Sequence, residues 1–273
     1  QQCINWFPHV PDVPALNQEV LFGSPGIAQE ATAGPTAISA NRGAHAMEGK
    51  AYFVQGQALY RLNQNNSVDN LGTVLGSGRV SMDDNGRQLA IITPGGSAYI
   101  FTESPDTLTE ITDPDFRANG NPQYVLFIDG YFVFTTDQKK FIISALNDGL
   151  SYNALDFGTA ESSPDGVVIP FKYRNQLFIG GERTIEGFQN VGGADFPFQR
   201  SGLFFDEGVS APSSVERTDD TVLFVGAGEN ESAAVWALKG NQTQKVSTKA
   251  IDQVFQRLTS DELKRVYAWS YAQ

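Results

Sequence analysis

The sequence predicts an all-β fold, a β-propeller with blades of about 40–46 residues, and three observations lead to this prediction. From residue 43 onward, short runs rich in aromatic and β-branched residues alternate with Asp-Gly, Asn-Gly and Gly-Gly turn signals. One apolar burst recurs at intervals of 38, 41, 46 and 46 residues, the period of a four-stranded propeller blade. Each burst has a strand-like segment on either side. The bursts are anchored on Phe53, Ile91, Phe132, Phe178 and Phe224.

Each blade is expected to begin with a hairpin whose second strand is the burst. The bursts cover residues 51–54, 89–92, 131–134, 177–179 and 222–225. The strands before them are expected at 44–47, 80–82, 125–128, 167–171 and 213–215, and the strands after them at 58–62, 98–101, 140–144, 184–188 and 233–238. A β-sandwich also has strands about every 8 to 12 residues, but it does not show the longer period, so the propeller is preferred.

Residues 1–42 are predicted to form an extended N-terminal arm. Five prolines among many Gly, Ala and Asn residues disfavour both helices and central strands there. They are Pro8, Pro11, Pro14, Pro25 and Pro35. The propeller is then expected over residues 43–273.

A helical insertion is expected near residues 248–266. An apolar stripe there has the i, i+3, i+4, i+7 spacing of an amphipathic helix, and Thr259 with Glu262 has the spacing of a capping box. Residues 266–271 are then expected to be the first strand of a sixth blade. Because a propeller closes its ring to cover its blade faces, five blades and one strand predict an incomplete ring that further chain completes. The stripe consists of Ile251, Val254, Phe255 and Leu258.

The charge balance argues against a protein whose main task is to bind polyanions. The chain has 19 Lys and Arg against 31 Asp and Glu, a net charge of −12, so general affinity for a phosphate backbone or an anionic membrane is not expected. The longest apolar runs are too short for a membrane-spanning helix. With Cys3 as the single cysteine and His9 and His45 as the histidines, neither an intrachain disulfide nor a Cys/His metal site is expected. No cofactor is predicted.

Paired carboxylates are the strongest indication of an enzyme, since propeller glycosidases need two acids at a fixed separation. Residues 81–85 match the first half of a sialidase Asp-box, Ser-x-Asp-x-Gly-x-x-Trp, but Asn85 stands where glycine is required. Tight hairpins also require Asp at such positions, which favours a turn role, and His45 is expected to be a partly buried strand residue. No catalytic residue is therefore assigned. The acids considered are Asp83, Asp84, Asp165, Asp219 and Asp220.

Two segments carry a resemblance to a known family. The first consists of Gly76, Ser77, Gly78, Arg79, Val80, Ser81 and Met82, and the second includes Glu161, Ser162, Pro164, Asp165 and Gly166. Together they resemble the packaged-DNA stabilisation proteins, or tail hubs, of short-tailed phages of enteric bacteria. Residues 24–28, 184–188 and 246–263 are similar to further parts of that family, so the resemblance spans most of the chain. These signature residues are expected to be structural.

The resemblance implies a structural virion protein without enzymatic activity. It implies a tail hub subunit, assembled in the host cytoplasm as a homohexameric ring beneath the portal and its adaptor after genome packaging. Such a hub stabilises the packaged DNA and provides attachment for the tailspikes and the tail needle. DNA is expected to be contacted only as a channel wall, and no cofactor or membrane partner is implied. Family members extend further at the C-terminus, in agreement with the interrupted sixth blade.

A propeller glycosidase or glycan-binding protein is the alternative from another functional class, and a peptide-binding scaffold is a third hypothesis. An enzyme is expected to bring two carboxylates from opposite blades about 5 to 10 Å apart at the mouth of the central channel. A hub is expected to lack such a pair and to bury surface between subunits.

Overall fold

The computed structural model describes residues 6–9, 20–23, 31, 40–160, 166–193 and 196–270. Within the predicted arm, β1 (Trp6–His9) and β2 (Val20–Gly23) pair as an antiparallel hairpin. The arm therefore contains a small hairpin where only an extended segment was expected. A two-stranded ladder consists of edge strands alone, and an edge strand tolerates a proline such as Pro8.

Four sheets of four strands follow, each with consecutive strands hydrogen-bonded and antiparallel. Blade 1 contains β3 (Asn41–Met47), β4 (Lys50–Gln55), β5 (Ala58–Leu62) and β6 (Val68–Thr73). Blade 2 contains β7 (Ser81–Asp84), β8 (Gln88–Ile92), β9 (Ala98–Thr102) and β10 (Thr107–Glu110). The short helix α1 (Pro114–Arg117) leads to blade 3, with β11 (Pro122–Ile128), β12 (Tyr131–Thr136), β13 (Lys140–Ala145) and β14 (Asp148–Thr159). Blade 4 contains β15 (Val167–Tyr173), β16 (Gln176–Gly181), β17 (Ile185–Asn190) and β18 (Phe198–Phe205).

Blade 5 departs from this plan at its first strand, which is split in two. Its strands are β19 (Glu207–Val209), β20 (Glu216–Thr218), β21 (Thr221–Gly228), β22 (Ala234–Lys239) and β23 (Gln242–Lys245), and both β19 and β20 pair with β21. A 3₁₀ turn, Pro212–Ser214, lies between the halves. The strand predicted at residues 213–215 is therefore wrong. Pro212 has no N–H to donate to a ladder, and Ser214 replaces the missing pairing by accepting the Val225 N–H at 2.8 Å.

The predicted fold class, all-β with propeller-type blades, is confirmed, and each predicted burst is the second strand of a blade. The first strands of blades 1 to 4 contact one another in sequence, so they form a common inner edge. Within the described residues the five sheets do not close a ring.

Among the residues that the structure describes, the hydrophobic core is divided into four layers, one between each pair of neighbouring blades. Strand β8 shows how a single strand contributes to two of them. Its Leu89 and Ile91 pack against blade 1, whereas its Ala90 and Ile92 pack against blade 3. Successive side chains of a strand point to opposite faces, so a sheet buried on both faces is apolar at every position. This explains why the bursts are denser than an alternating pattern.

The predicted helical insertion is confirmed by α2 (Lys249–Gln256) and α3 (Ser260–Leu263), and the predicted capping box at the start of α3 is formed. The apolar stripe of α2 is only partly covered, with Ile251 44% and Val254 56% exposed. The strand predicted at residues 266–271 is wrong for its described part, 266–270, which is irregular. Its backbone bonds to Ser213 through Ala268 alone, at 3.0 Å, and a single bond does not make a ladder.

Among the described residues, no helix is both long and apolar enough to span a membrane.

Truncating Phe178 tests the layer between blades 4 and 5. Phe178 is 2% exposed and packs on Phe171 and Phe205, with ring centroids 5.6 and 6.2 Å away. Phe178→Ala leaves a cavity and is expected to lower the free energy of unfolding by about 3–5 kcal/mol. Phe204→Ala is the matched control, because Phe204 is 42% exposed, and should cost less than about 1 kcal/mol. Denaturant titration measures both, and equal losses would contradict this assignment of the core.

Candidate functional site

The first segment of predicted signature residues, 76–82, lies at the joint between blades 1 and 2. Gly76, Ser77, Gly78 and Arg79 belong to the connector that follows β6, Val80 precedes β7, and Ser81 and Met82 are the first residues of β7. Gly166 directly precedes β15 and accepts the Glu182 N–H at 3.0 Å. The remaining signature residues lie outside the described part of the chain; they are Glu161, Ser162, Pro164 and Asp165.

The connector is wrapped around the side chain of Arg42, which is 4% exposed. The guanidinium of Arg42 donates five hydrogen bonds from β3, so that its donors are all used. Four end on backbone carbonyls and one on a side chain: Gly78 O (2.8 Å), Val74 O (2.9 Å), Gly56 O (3.1 Å), Leu75 O (3.3 Å) and Thr93 Oγ1 (2.8 Å). Burial lowers the pKa of Arg42 below its ordinary value. One buried cation thus joins the end of blade 1, the connector and the β8–β9 turn.

The glycine at position 76 is required by this arrangement. Gly76 has φ +95°, a conformation that side chains other than glycine rarely adopt. A Cβ at this position would lie 2.8 Å from the Thr93 Cγ2 atom and 3.5 Å from the Arg42 Nη2 atom. The backbone carbonyls can therefore approach the guanidinium because the connector carries no side chain here.

Ser81 of the signature and Asp83, just beyond it, contribute a second set of contacts, from blade 2 to blade 3. Strand β11 pairs with β12 along one edge, and its other edge faces β7. The Val125 N–H donates to Ser81 Oγ at 3.0 Å, and the Phe127 N–H donates to Asp83 Oδ2 at 2.6 Å. The two acceptor residues are two positions apart on β7, and the two donor residues are two positions apart on β11. A Ser-x-Asp pattern on one strand therefore matches the edge N–H groups of the next strand. These contacts satisfy donors that would otherwise be unpaired at an inner edge.

Asp83 and Asp84 were predicted to be turn residues, and the structure separates their roles. Asp84 has the expected role, accepting the Gly86 N–H at 2.7 Å. Asp83 lies on β7 and bonds to the next blade, which the prediction missed. Burial raises the pKa of Asp83, against the opposing effects of the Phe127 N–H and His45. His45 is a half-buried strand residue, as predicted, with its Nε2 atom 2.6 Å from Asp84 Oδ2 and 3.9 Å from Asp83 Oδ1.

In the described part of the chain, the group that could hold a metal ion is formed by His45, Asp83 and Asp84, whose ligand atoms lie within 4.8 Å of one another. The sequence prediction considered only Cys/His sites and did not identify this group. Its carboxylates already accept backbone N–H groups or contact His45. The hydrogen bonds within blade 2 and to blades 1 and 3 therefore explain why these three side chains lie together.

The other polar side chains considered for catalysis do not converge. Asp219 and Asp220 lie at the β20–β21 turn, where Asp220 forms an exposed bidentate pair with Arg174 at 2.9 and 3.2 Å. Arg217 donates to the Asp219 carbonyl, and Arg79 lies over the ring of Tyr267. These arginines serve separate contacts, and Asp165 lies outside the described residues.

The comparison with protein families gives a match along nearly the whole chain. A family model described as bacteriophage P22 Gp10, β-propeller, matches residues 3–273. The tail hub protein gp10 of Salmonella phage P22 is 24% identical over 225 residues. That alignment covers 78% of this chain and 46% of the relative, so the chain spans about half the length of the curated relative that it matches.

Solved structures support the fold. The β-propeller domain of Myceliophteria thermophila Cps50 (Swd1) has a TM-score of 0.52 at 11% identity, covering 76% of this chain and 72% of that chain. The extracellular domain of a putative one-component system from B. thetaiotaomicron has a TM-score of 0.54 at 12% identity, covering 82% of this chain and 30% of that chain. At these identities, the likeness concerns the fold alone.

Replacing Arg42 tests whether its guanidinium holds the connector. Arg42→Lys keeps a charge but offers three donors without the planar fork, so buried carbonyls lose their partners. The free energy of unfolding is expected to fall by about 2–4 kcal/mol. Trypsin cleavage after Arg79, in the same connector, should become faster. The matched control is Arg87→Lys, at an exposed position, and an Arg42 variant as stable and protease-resistant as this control would contradict the assignment.

Replacing Asp83 tests the contact between blades 2 and 3. Asp83→Ala leaves the Phe127 N–H without its acceptor and is expected to cost about 1–3 kcal/mol, with faster hydrogen exchange at the Phe127 amide. Asp83→Asn retains an acceptor oxygen and should lose less. If the two variants were equally unstable, or if exchange at the Phe127 amide were unchanged in both, the hydrogen bond would not contribute to the stability of the fold.

Proposed function

The chain belongs to the family of bacteriophage P22 Gp10 β-propellers, and from this premise we propose that it is a structural protein of a phage tail. In this proposal it is a tail hub subunit that closes the portal–adaptor channel after genome packaging and so stabilises the packaged DNA. The observation that carries the proposal is the family match over residues 3–273, which extends through all five blades. The P22 relative is itself named a tail hub protein.

The proposed subunit acts in the virion as part of a homohexameric ring. Its proposed partners are the portal and adaptor, the tailspikes and the tail needle. DNA contacts the ring only as it passes along the wall of the channel. The net charge of −12 supports this role, because a wall with few phosphate-binding groups does not retain a moving polyanion.

Within the chain, we propose an architectural role for the signature residues. Gly76 permits close approach of the connector to Arg42, and Ser81 satisfies a backbone donor of blade 3. Signature residues of this kind preserve the spacing between blades, which is what a ring of interlocking subunits requires. We retain the division into an arm over residues 1–42 and a propeller over 43–273 as part of the proposal.

A non-enzymatic role is supported by the contacts of the described acids. Asp83 and Asp84 come from one strand, β7, whereas a glycosidase needs carboxylates from separate positions across the channel. Asp83 is bound to the backbone of blade 3, and Asp220 is held by Arg174 at an exposed turn. The glycosidase or glycan-binding alternative has no comparable support among these residues.

The proposal is tested with capsids that have packaged DNA and carry the portal and adaptor but lack this protein. Adding the whole chain is expected to increase the particle mass by about six copies, measured by light scattering, and to slow release of DNA to added nuclease. An unrelated β-propeller of similar size and charge serves as the control.

Two results would count against the hub. Capsids that gain no mass, or that gain mass without retaining DNA better than the control, would contradict the proposed role. Hydrolysis of a surface polysaccharide by the purified chain would favour the glycosidase alternative instead.

A further inference from the structure

A cleft of 450 Å³ lies where the inner ends of several blades meet. One wall is the signature connector with Arg79, and another is Tyr124 at the start of β11. The third is Ser213 in the 3₁₀ turn of blade 5, together with residues 264–267 after α3. The Ala268 N–H donates to the Ser213 carbonyl at 3.0 Å, which fixes the last segment against this turn. The cleft is thus built from parts of the chain that are distant in sequence.

The cleft concentrates positive charge in an acidic protein. Arg79, Lys264 and Arg265 line it, are exposed, and form no ion pair with any of the acids in the described ranges. Arg42 also borders the cleft, but its five donors are used by the connector and by the turns at Gly56 and Thr93. The acid that interacts electrostatically with Arg265 is Glu262, whose carboxylate is held by the capping box. Three cations are therefore available to a ligand.

An exposed aromatic surface continues from the cations. The Arg79 Cζ atom lies 4.0 Å from the centroid of the Tyr267 ring, within the range of a cation–π contact. Tyr267 stacks on Trp269 with centroids 5.6 Å apart, and Trp269 is 71% exposed. Arginine, tyrosine and tryptophan grouped around a concave surface are typical of the centre of a protein–protein interface.

We propose that this cleft binds an acidic peptide segment of a partner protein. A carboxylate of the segment pairs with Arg79 and with Lys264 or Arg265, and a neighbouring apolar side chain packs on Tyr267 and Trp269. The charge of the whole chain favours this ligand over nucleic acid, because a net charge of −12 repels a long polyanion. A short segment brings only one or two charges to the three cations. The proposal does not depend on the phage role proposed above.

The test measures binding of a fluorescein-labelled peptide, Gly-Glu-Leu-Glu-Phe-Gly, to the whole chain by fluorescence anisotropy at low salt. The same peptide with Gln in place of Glu, and a 12-base-pair DNA duplex, are the comparison ligands. The acidic peptide is expected to bind about tenfold more tightly than its Gln counterpart, since charge-assisted hydrogen bonds are lost in the latter.

Variants locate the site. The triple variant Arg79→Gln, Lys264→Gln, Arg265→Gln and the single variant Trp269→Ala should each weaken binding of the acidic peptide by about tenfold. Arg79→Lys keeps the charge and should retain most of the binding. Arg87→Gln is the exposed control outside the cleft, and the triple variant should unfold at the same temperature as this control. Any of four results would overturn the proposal. They are equal binding of the two peptides, unchanged binding by the triple variant, tighter binding of the duplex, and no binding of the acidic peptide at a concentration of about 1 mM.

Discussion

The structure depends on one constraint, that the blades are apolar on both faces and no blade can cover itself. The alternating residues of β8 make this explicit, since Leu89 and Ile91 enter one layer while Ala90 and Ile92 enter the next. Sheets of this kind are buried only by stacking on neighbours, so the chain must return at a regular interval to place each new sheet. The repeat in the sequence and the four apolar layers are two expressions of the same requirement.

Stacking creates a second requirement at the inner edges, where strands of different blades approach without forming a ladder. Edge N–H and C=O groups there are shielded from solvent and need partners. The joint between blades 1 and 2 uses a guanidinium from Arg42, and the joint between blades 2 and 3 uses the side chains of Ser81 and Asp83. Further along, Thr135 of blade 3 donates to the Val168 carbonyl of blade 4 at 3.1 Å. At each of these joints, polar side chains thus supply hydrogen-bond partners that a ladder between the blades would otherwise provide.

Sequence reasoning predicted the parts of this fold that are governed by local pattern. The five bursts, the turns and the helices that follow them have periodicities or capping residues that can be read directly, and they agree with the structure. It was wrong at residues 213–215 and 266–270, where an apolar or β-branched residue suggested a strand but no ladder partner was available. The role of Arg42 had no sequence signal, because its acceptors are carbonyls that only folding brings together. The role of Asp83 had a weak signal, its two-residue spacing from Ser81, which resembled turn chemistry instead.

The division of the core into four layers also determines how cooperative the molecule is. Each layer joins only two adjacent blades, so the five described blades are coupled through their nearest neighbours. Within the described residues, blades 2, 3 and 4 are covered by a layer on both faces, whereas blades 1 and 5 each share one. Opening of blade 2, 3 or 4 therefore requires that two of these layers separate. A change in one layer can therefore reach the next layer only through the blade that the two layers share.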